Sequence, residues 1–179
     1  SIFVAEEYFI KDSINIQPDS VIVAGPSSVV STLKNWPTKL FRRKNLNKTL
    51  QDSVYLEQDD NGVLEFLPKK IKVEVPVERY AEKSFFVPVT YEHNFDSLTI
   101  FPNRIKLNVV VGLSDFNSIS EDDFVLEADL KTATRTGDNN TAPLMLTKSP
   151  VRALSVYFSP KAVEFFIVEQ EEDASSNTQ

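Results

Sequence analysis

The chain has 179 residues, 41% of them hydrophobic and 25% charged, with a net charge of −7. That length holds one large domain or two small ones of ordinary soluble composition. There is no Cys, which excludes disulfides, thiol catalysis and thiolate metal sites, and no run approaches the roughly 18 apolar residues of a membrane-spanning helix.

The charge is concentrated at the C-terminus. Glu169, Glu171, Glu172 and Asp173 fall in the last eleven residues without a basic neighbour, which leaves −3 on the body. Residues 170–179 are polar and lack large apolar groups, so they are expected to be a disordered acidic tail. An acidic chain repels a phosphate backbone, so general nucleic-acid binding is not expected. The chain begins at Ser1 rather than Met, and any anchor or signal sequence is expected upstream of it.

Val, Ile, Thr, Phe and Tyr are abundant and Gly is scarce, which tilts the propensities toward strands. Ile2 to Ile16 reads as one long strand or two short ones. After a turn at Pro18-Asp19, Val21 and Val23 share one face of a strand and Ile22 and Ala24 the other, with both faces covered. Gly25-Pro26 marks a helix start. Val29, Val30, Leu33 and Trp36 fall at helical spacing as one buried stripe, giving a helix of two to three turns that Pro37 ends. Thr38 to Leu46 is extended. Val54 and Leu56 make a short strand, and Asp59-Asp60-Asn61-Gly62 signals a hairpin returning through Val63, Leu64 and Phe66.

Ile71, Val73, Val75 and Val77 alternate with polar residues as a half-buried strand, with Pro76 at a sheet edge or beyond the pairing. Arg79 to Ser84 reads as a polar connection and a domain boundary. Strand material resumes from Phe85 to Ile100, broken by Glu92-His93-Asn94. Ile105, Leu107, Val109 and Val111 alternate again, ending at Gly112. Ser120-Glu121-Asp122-Asp123 is a capped helical turn. Val125 to Leu130 is a strand, Gly137 to Asn140 a loop, and Leu144 and Leu146 pair with that strand. Leu154, Val156 and Phe158 form another strand, and Val163, Phe165 and Ile167 share one face of the last.

A phrase Pro-x-x-Val/Ile recurs at Pro18, Pro68, Pro102 and Pro160, with within-copy spacings of 50 and 58 residues. Proline fixes a turn, and the branched residue three later begins a buried face. Two copies of one small domain follow. The run Pro18 to Pro26, the helix after it, Val54-Tyr55-Leu56 and Pro68-x-x-Ile71-x-Val73-x-Val75 resemble a bacterial YbbR-like domain over about residues 14–78. Residues 98–169 keep the opening and closing strands of the pattern and depart from it in the middle.

The resemblance implies a two-layered, cradle-like β fold with crossed or exchanged strands and a short helix, occurring in tandem. It further implies a place behind one N-terminal transmembrane helix, on the extracytoplasmic side of the cytoplasmic membrane. In one branch of the family the protein regulates a membrane-bound diadenylate cyclase, and the fold is also similar to an RNA-binding domain of a ribosomal stress protein. The expected architecture is therefore mainly β, with a YbbR-like domain at 1–80 and a second, divergent one at 84–169. Strand residues 1–17 are free in this reading to pair with a preceding domain.

Few residues suggest chemistry. His93, the only histidine, lies in a polar loop with no nucleophile in a recognisable motif, and reads as solvated. Asp59 to Gly62 lacks the ligand spacing of a calcium loop and reads as a turn. Glu121 to Asp123 suits a helix N-terminus. Gly25 stands without the further glycines or the lysine of a phosphate-binding loop. No catalytic residue, cofactor or metal is expected.

Two stretches are candidates for a partner surface. Lys39, Arg42, Arg43, Lys44 and Lys48 form a basic cluster, open to reading as a solvated strand or as a contact for lipid headgroups or an acidic partner. Phe165, Phe166, Ile167 and Val168 are apolar on both faces, as a core strand or as a strand with Phe166 and Val168 offered to a partner. The expected function is non-catalytic: an extracytoplasmic interaction or regulatory module of a membrane-anchored bacterial protein, with a protein partner such as a membrane-bound cyclase. The alternatives are a carboxylate-based hydrolase and an RNA-binding module.

Overall fold

The computed structural model describes residues 1–92, 98–136 and 139–167. His93, Val168 and the acidic tail lie outside them. The protein is mainly β, with sixteen strands, one short α-helix and one 3-10 turn among the described residues. It divides into two compact units, Ser1–Ala81 and Glu82–Gln179.

In the first unit, β1 (Ile2–Val4), β2 (Tyr8–Ile10) and β3 (Asn15–Gln17) replace the one or two strands expected before Pro18. A turn at Glu7, with φ of 64°, separates β1 from β2, and Tyr8 N–H closes it onto the Ala5 carbonyl. β4 (Ile22–Ala24) is followed by α1 (Ser27–Val30), β5 (Arg43–Leu46), β6 (Leu50–Tyr55), β7 (Glu65–Leu67), β8 (Lys70–Val75) and the start of β9 (Val77–Thr90). β3, β8 and β6 form an antiparallel sheet, β4 pairs with β7, β1 pairs in parallel with β5, and β2 pairs with Val77 to Arg79. The inner face of β8 supplies the core through Ile71, Val73 and Val75, with Val54 and Val77.

Three expectations in this unit are corrected. The helix is one turn long and buries no residue. The Thr32 hydroxyl donates to the Val29 carbonyl, and Trp36 leaves the helical path to donate its Nε1–H to the Glu57 carbonyl, 2.9 Å away, and stack on Phe66. The Asn61-Gly62 turn joins strands that do not pair with each other, since β6 pairs with β8 and β7 with β4. β4 is covered on one face only, and Ile22 is 70% exposed.

β9 also corrects the sequence reading, because residues 79–84 lie inside this continuous strand rather than in a polar connection. In the second unit it is followed by β10 (Leu98–Phe101), β11 (Arg104–Gly112), the 3-10 turn Glu121–Asp123, β12 (Val125–Ala128), β13 (Thr134–Thr136), β14 (Asn139–Lys148), β15 (Ala153–Phe158) and β16 (Ala162–Ile167). Asn139 and Asn140 thus belong to a strand, paired with Thr136 and Arg135, and not to a loop.

The strands run in the order β10, β16, β14, β12, β9, β11, β15, with β13 beside β14. Their inward residues form one core around Leu107, Val109, Val111, Leu126, Ala142 and Phe165. Burying each large apolar side chain there contributes roughly 1.5–3 kcal/mol, so the fifteen-residue core of this unit outweighs the five-residue core of the first.

One pairing rule holds in both units. The strand before the first Pro-x-x-Val/Ile phrase pairs with the strand after the second: β3 with β8, and β10 with β16. The strand after the first phrase pairs with the strand before the second: β4 with β7, and β11 with β15. All four pairings are antiparallel, and Pro18, Pro68, Pro102 and Pro160 each follow a cis peptide bond.

Candidate functional site

The basic segment of the first unit is held at both ends. Thr38 bridges to Leu56, and Lys39 N–H donates to the Tyr55 carbonyl at 2.8 Å. Further on, Arg43 N–H donates to the Ser1 carbonyl at 3.0 Å, and the Ser1 nitrogen donates to the Phe41 carbonyl at 2.6 Å. Between these anchors exposure alternates, as an extended chain requires. Phe41, Arg43 and Leu46 are half-buried, with Phe41 and Leu46 packed against the core, whereas Lys39, Leu40, Arg42 and Lys44 are exposed.

The segment therefore splits. Arg43 turns inward: its Nε donates to Asp52 Oδ2 at 3.0 Å, its Nη2 reaches the same oxygen, and its guanidinium lies 4.4 Å from the centre of the Phe41 ring. The Arg43 hydrogen bond, followed by the Ser53 N–H, holds the Asp52 carboxyl below its ordinary pKa. Arg43 is thus committed within the fold. Lys39, Arg42, Lys44 and Lys48 remain as the outward cations.

Phe166 belongs to the second unit, on the outer side of β16 opposite Thr99, and is 47% exposed; its neighbour Phe165 is fully buried. Phe101, one position past Ile100 on β10, is also exposed. The partner residues expected from sequence are thus shared between two units, three of the cations on one strip and Phe166 on the exposed face of a strand flanked by β10 and β14.

Searches of family models, curated proteins and solved structures return no match for the chain.

Among the described residues, the first unit carries several open clefts. One, of about 380 Å³, is lined by Val21, Val23, Leu33, Trp36 and Phe66 with Asp19 on its rim. Another, of about 340 Å³, lies between Ile14, Ile16, Leu40 and Val54. Among the described residues, no three His, Cys, Asp or Glu side chains gather to hold a metal ion.

The displaced carboxyls are all displaced downward, the direction of groups kept ionised by hydrogen bonds. At Asp59, burial works to raise the pKa. The N–H groups of Val63, Asn61 and Leu64 together outweigh it and close the turn that the sequence read as a hairpin. At Asp123 the Ser120 N–H leads and Arg152 adds to it; at Asp129 the Thr132 hydroxyl leads.

Sequence reasoning missed the inward role of Arg43. Its one available signal was the two-residue spacing from Phe41, which puts Arg43 on the same side of an extended chain as that apolar ring.

Proposed function

We propose that the chain is a non-catalytic interaction and regulatory module made of two tandem YbbR-like, cradle-like domains, and part of a membrane-anchored bacterial protein on the extracytoplasmic side. The observation that carries this reading is the shared exchange of partners around the two pairs of prolines. β3 with β8 and β4 with β7 repeat as β10 with β16 and β11 with β15. Two units with the same crossed pairing support a duplicated domain, and crossed strands are what the resemblance implies.

The module's partner in this reading is a membrane-bound enzyme, with a diadenylate cyclase as the first to test. Co-expression of the full-length protein with the host's cyclase should change cyclic dinucleotide output, and the two should co-purify. Unchanged output together with no co-purification would sink the regulatory reading.

A further inference from the structure

We propose that the strip of Lys39, Leu40, Arg42, Lys44 and Lys48 docks on an anionic lipid surface. The inference rests on the reading of the chain as a surface-acting module and names the chemistry that this surface recognises.

No Asp or Glu stands between Asp19 and Asp52, whereas six basic residues do. Asp52, the acid at the border, is taken by Arg43. Among the described residues, Lys39, Arg42, Lys44 and Lys48 have no acidic partner, and neither do Lys34, Lys69, Lys72 and Lys106, whereas Lys11, Arg79, Arg104, Lys131 and Arg152 each have one. The charge of the strip is therefore not spent inside the fold. Its extended backbone carries Leu40, Arg42 and Lys44 on one exposed side over about 13 Å, a length that meets several headgroups at once.

Leu40 decides between occupants. It is 76% exposed in the midst of cations, ahead of the start of β5, where a side chain can enter the headgroup layer. A nucleic acid would need a stacking ring, and the ring of this segment, Phe41, is covered by the Arg43 guanidinium. The net charge of −7 also opposes a polyanion that wraps the whole molecule, but a membrane meets only the face that touches it.

Each basic residue near an anionic bilayer strengthens binding by a factor of about five. The 179-residue chain should co-sediment with vesicles containing roughly 30% phosphatidylglycerol, not with pure phosphatidylcholine vesicles, and salt should release it. Arg42→Gln, Lys44→Gln and Lys48→Gln together should weaken that binding about 100-fold. Leu40→Ser should weaken it several-fold and leave the salt dependence unchanged.

Removing equal charge from the second unit, with Lys106→Gln, Lys131→Gln and Lys161→Gln, should leave binding within about twofold. Thermal melting confirms that each variant folds. Equal sedimentation with both vesicle types, or equal losses from the strip and the control variants, would overturn the inference. So would binding to single-stranded RNA or to a polyglutamate peptide with no binding to anionic vesicles. Cyclase co-purification retained without lipid binding would overturn this inference alone, and lipid binding without any effect on the cyclase would leave it standing while the regulatory reading fails.

Discussion

Arg152 and Asp123 meet through a single oxygen: Asp123 Oδ2 accepts a hydrogen bond from Arg152 Nη2 at 2.8 Å and from the Ser120 N–H at 2.9 Å. The carboxylate closes the 3-10 turn at residues 121–123, and Arg152, the residue preceding β15, ties that turn to the start of the strand. Arg152 also donates to the Ser118 carbonyl at 3.2 Å, so one side chain holds both ends of the approach to the turn.

Arg152→Ala should lower the unfolding midpoint at pH 7, because it removes contacts to Asp123 and Ser118 together. Arg152→Lys should recover part of the loss through charge without the second contact. The gap between wild type and Arg152→Ala should narrow below about pH 4, where Asp123 protonates in the unfolded chain. Thermal melts at pH 7 and in acid measure both effects.

A related dependence should hold for the whole protein. Asp52, Asp59, Asp123 and Asp129 all titrate below the ordinary Asp range in the folded state. The unfolded chain therefore takes up protons first as the pH falls. The stabilisation is fully present above the unfolded value near about 3.9 and is lost as the pH drops through the folded values. Stability should fall steeply on the acid side, and Asp59→Asn should flatten that slope while lowering stability at pH 7. Denaturant titrations between neutral pH and acid would test it, and an unchanged slope in Asp59→Asn would refute the assignment.

Gly25 is required by space. A Cβ there would lie 2.6 Å from Leu64 Cδ2 and 2.9 Å from the Val63 carbonyl oxygen. Leu64 can yield, but the Val63 backbone cannot move without disturbing the approach to β7. Gly25→Ala should destabilise the protein by about 1–3 kcal/mol, the range for overpacking a fitted site. Adding Leu64→Ala should not restore the loss, since the carbonyl contact remains. A double-mutant cycle in denaturant measures this directly.

The contrast between these sites and the strands explains what the sequence could reveal. Ile105, Leu107, Val109 and Val111 were legible because a strand buries every second residue, and all four are buried. The capped turn at Ser120 to Asp123 was legible for a similarly local reason. The hairpin at Asn61-Gly62 was misread because pairing is a long-range choice. Gly62 adopts the positive φ that a tight turn uses, yet β6 and β7 take partners from elsewhere in the chain.

The helix after Gly25 failed for another reason. The spacing of Val29, Val30, Leu33 and Trp36 fits a helix, but Trp36 gains a hydrogen bond to Glu57 and a ring contact with Phe66, which a helical path would forgo. At the basic strip, the sequence located the cations but not their division, because Asp52 lies nine residues beyond the Arg43 it binds.

Leu107 and Leu154 give the sharpest test of the register. Both are leucines in adjacent, paired strands of one sheet, and alternation from Val156 and Phe158 places Leu154 inward. The pairing shifts between Val110↔Ser155 and Val111↔Ala153, so Leu154 is an extra residue without a partner across the ladder. It is 45% exposed, while Leu107, opposite Phe158, is 0% exposed. Leu107→Ala should cost about 2–5 kcal/mol through lost burial and the cavity left behind. Leu154→Ala should change stability by no more than about 0.5 kcal/mol, as for a surface substitution. Equal losses at the two positions in urea denaturation would show that β15 has no such bulge in solution.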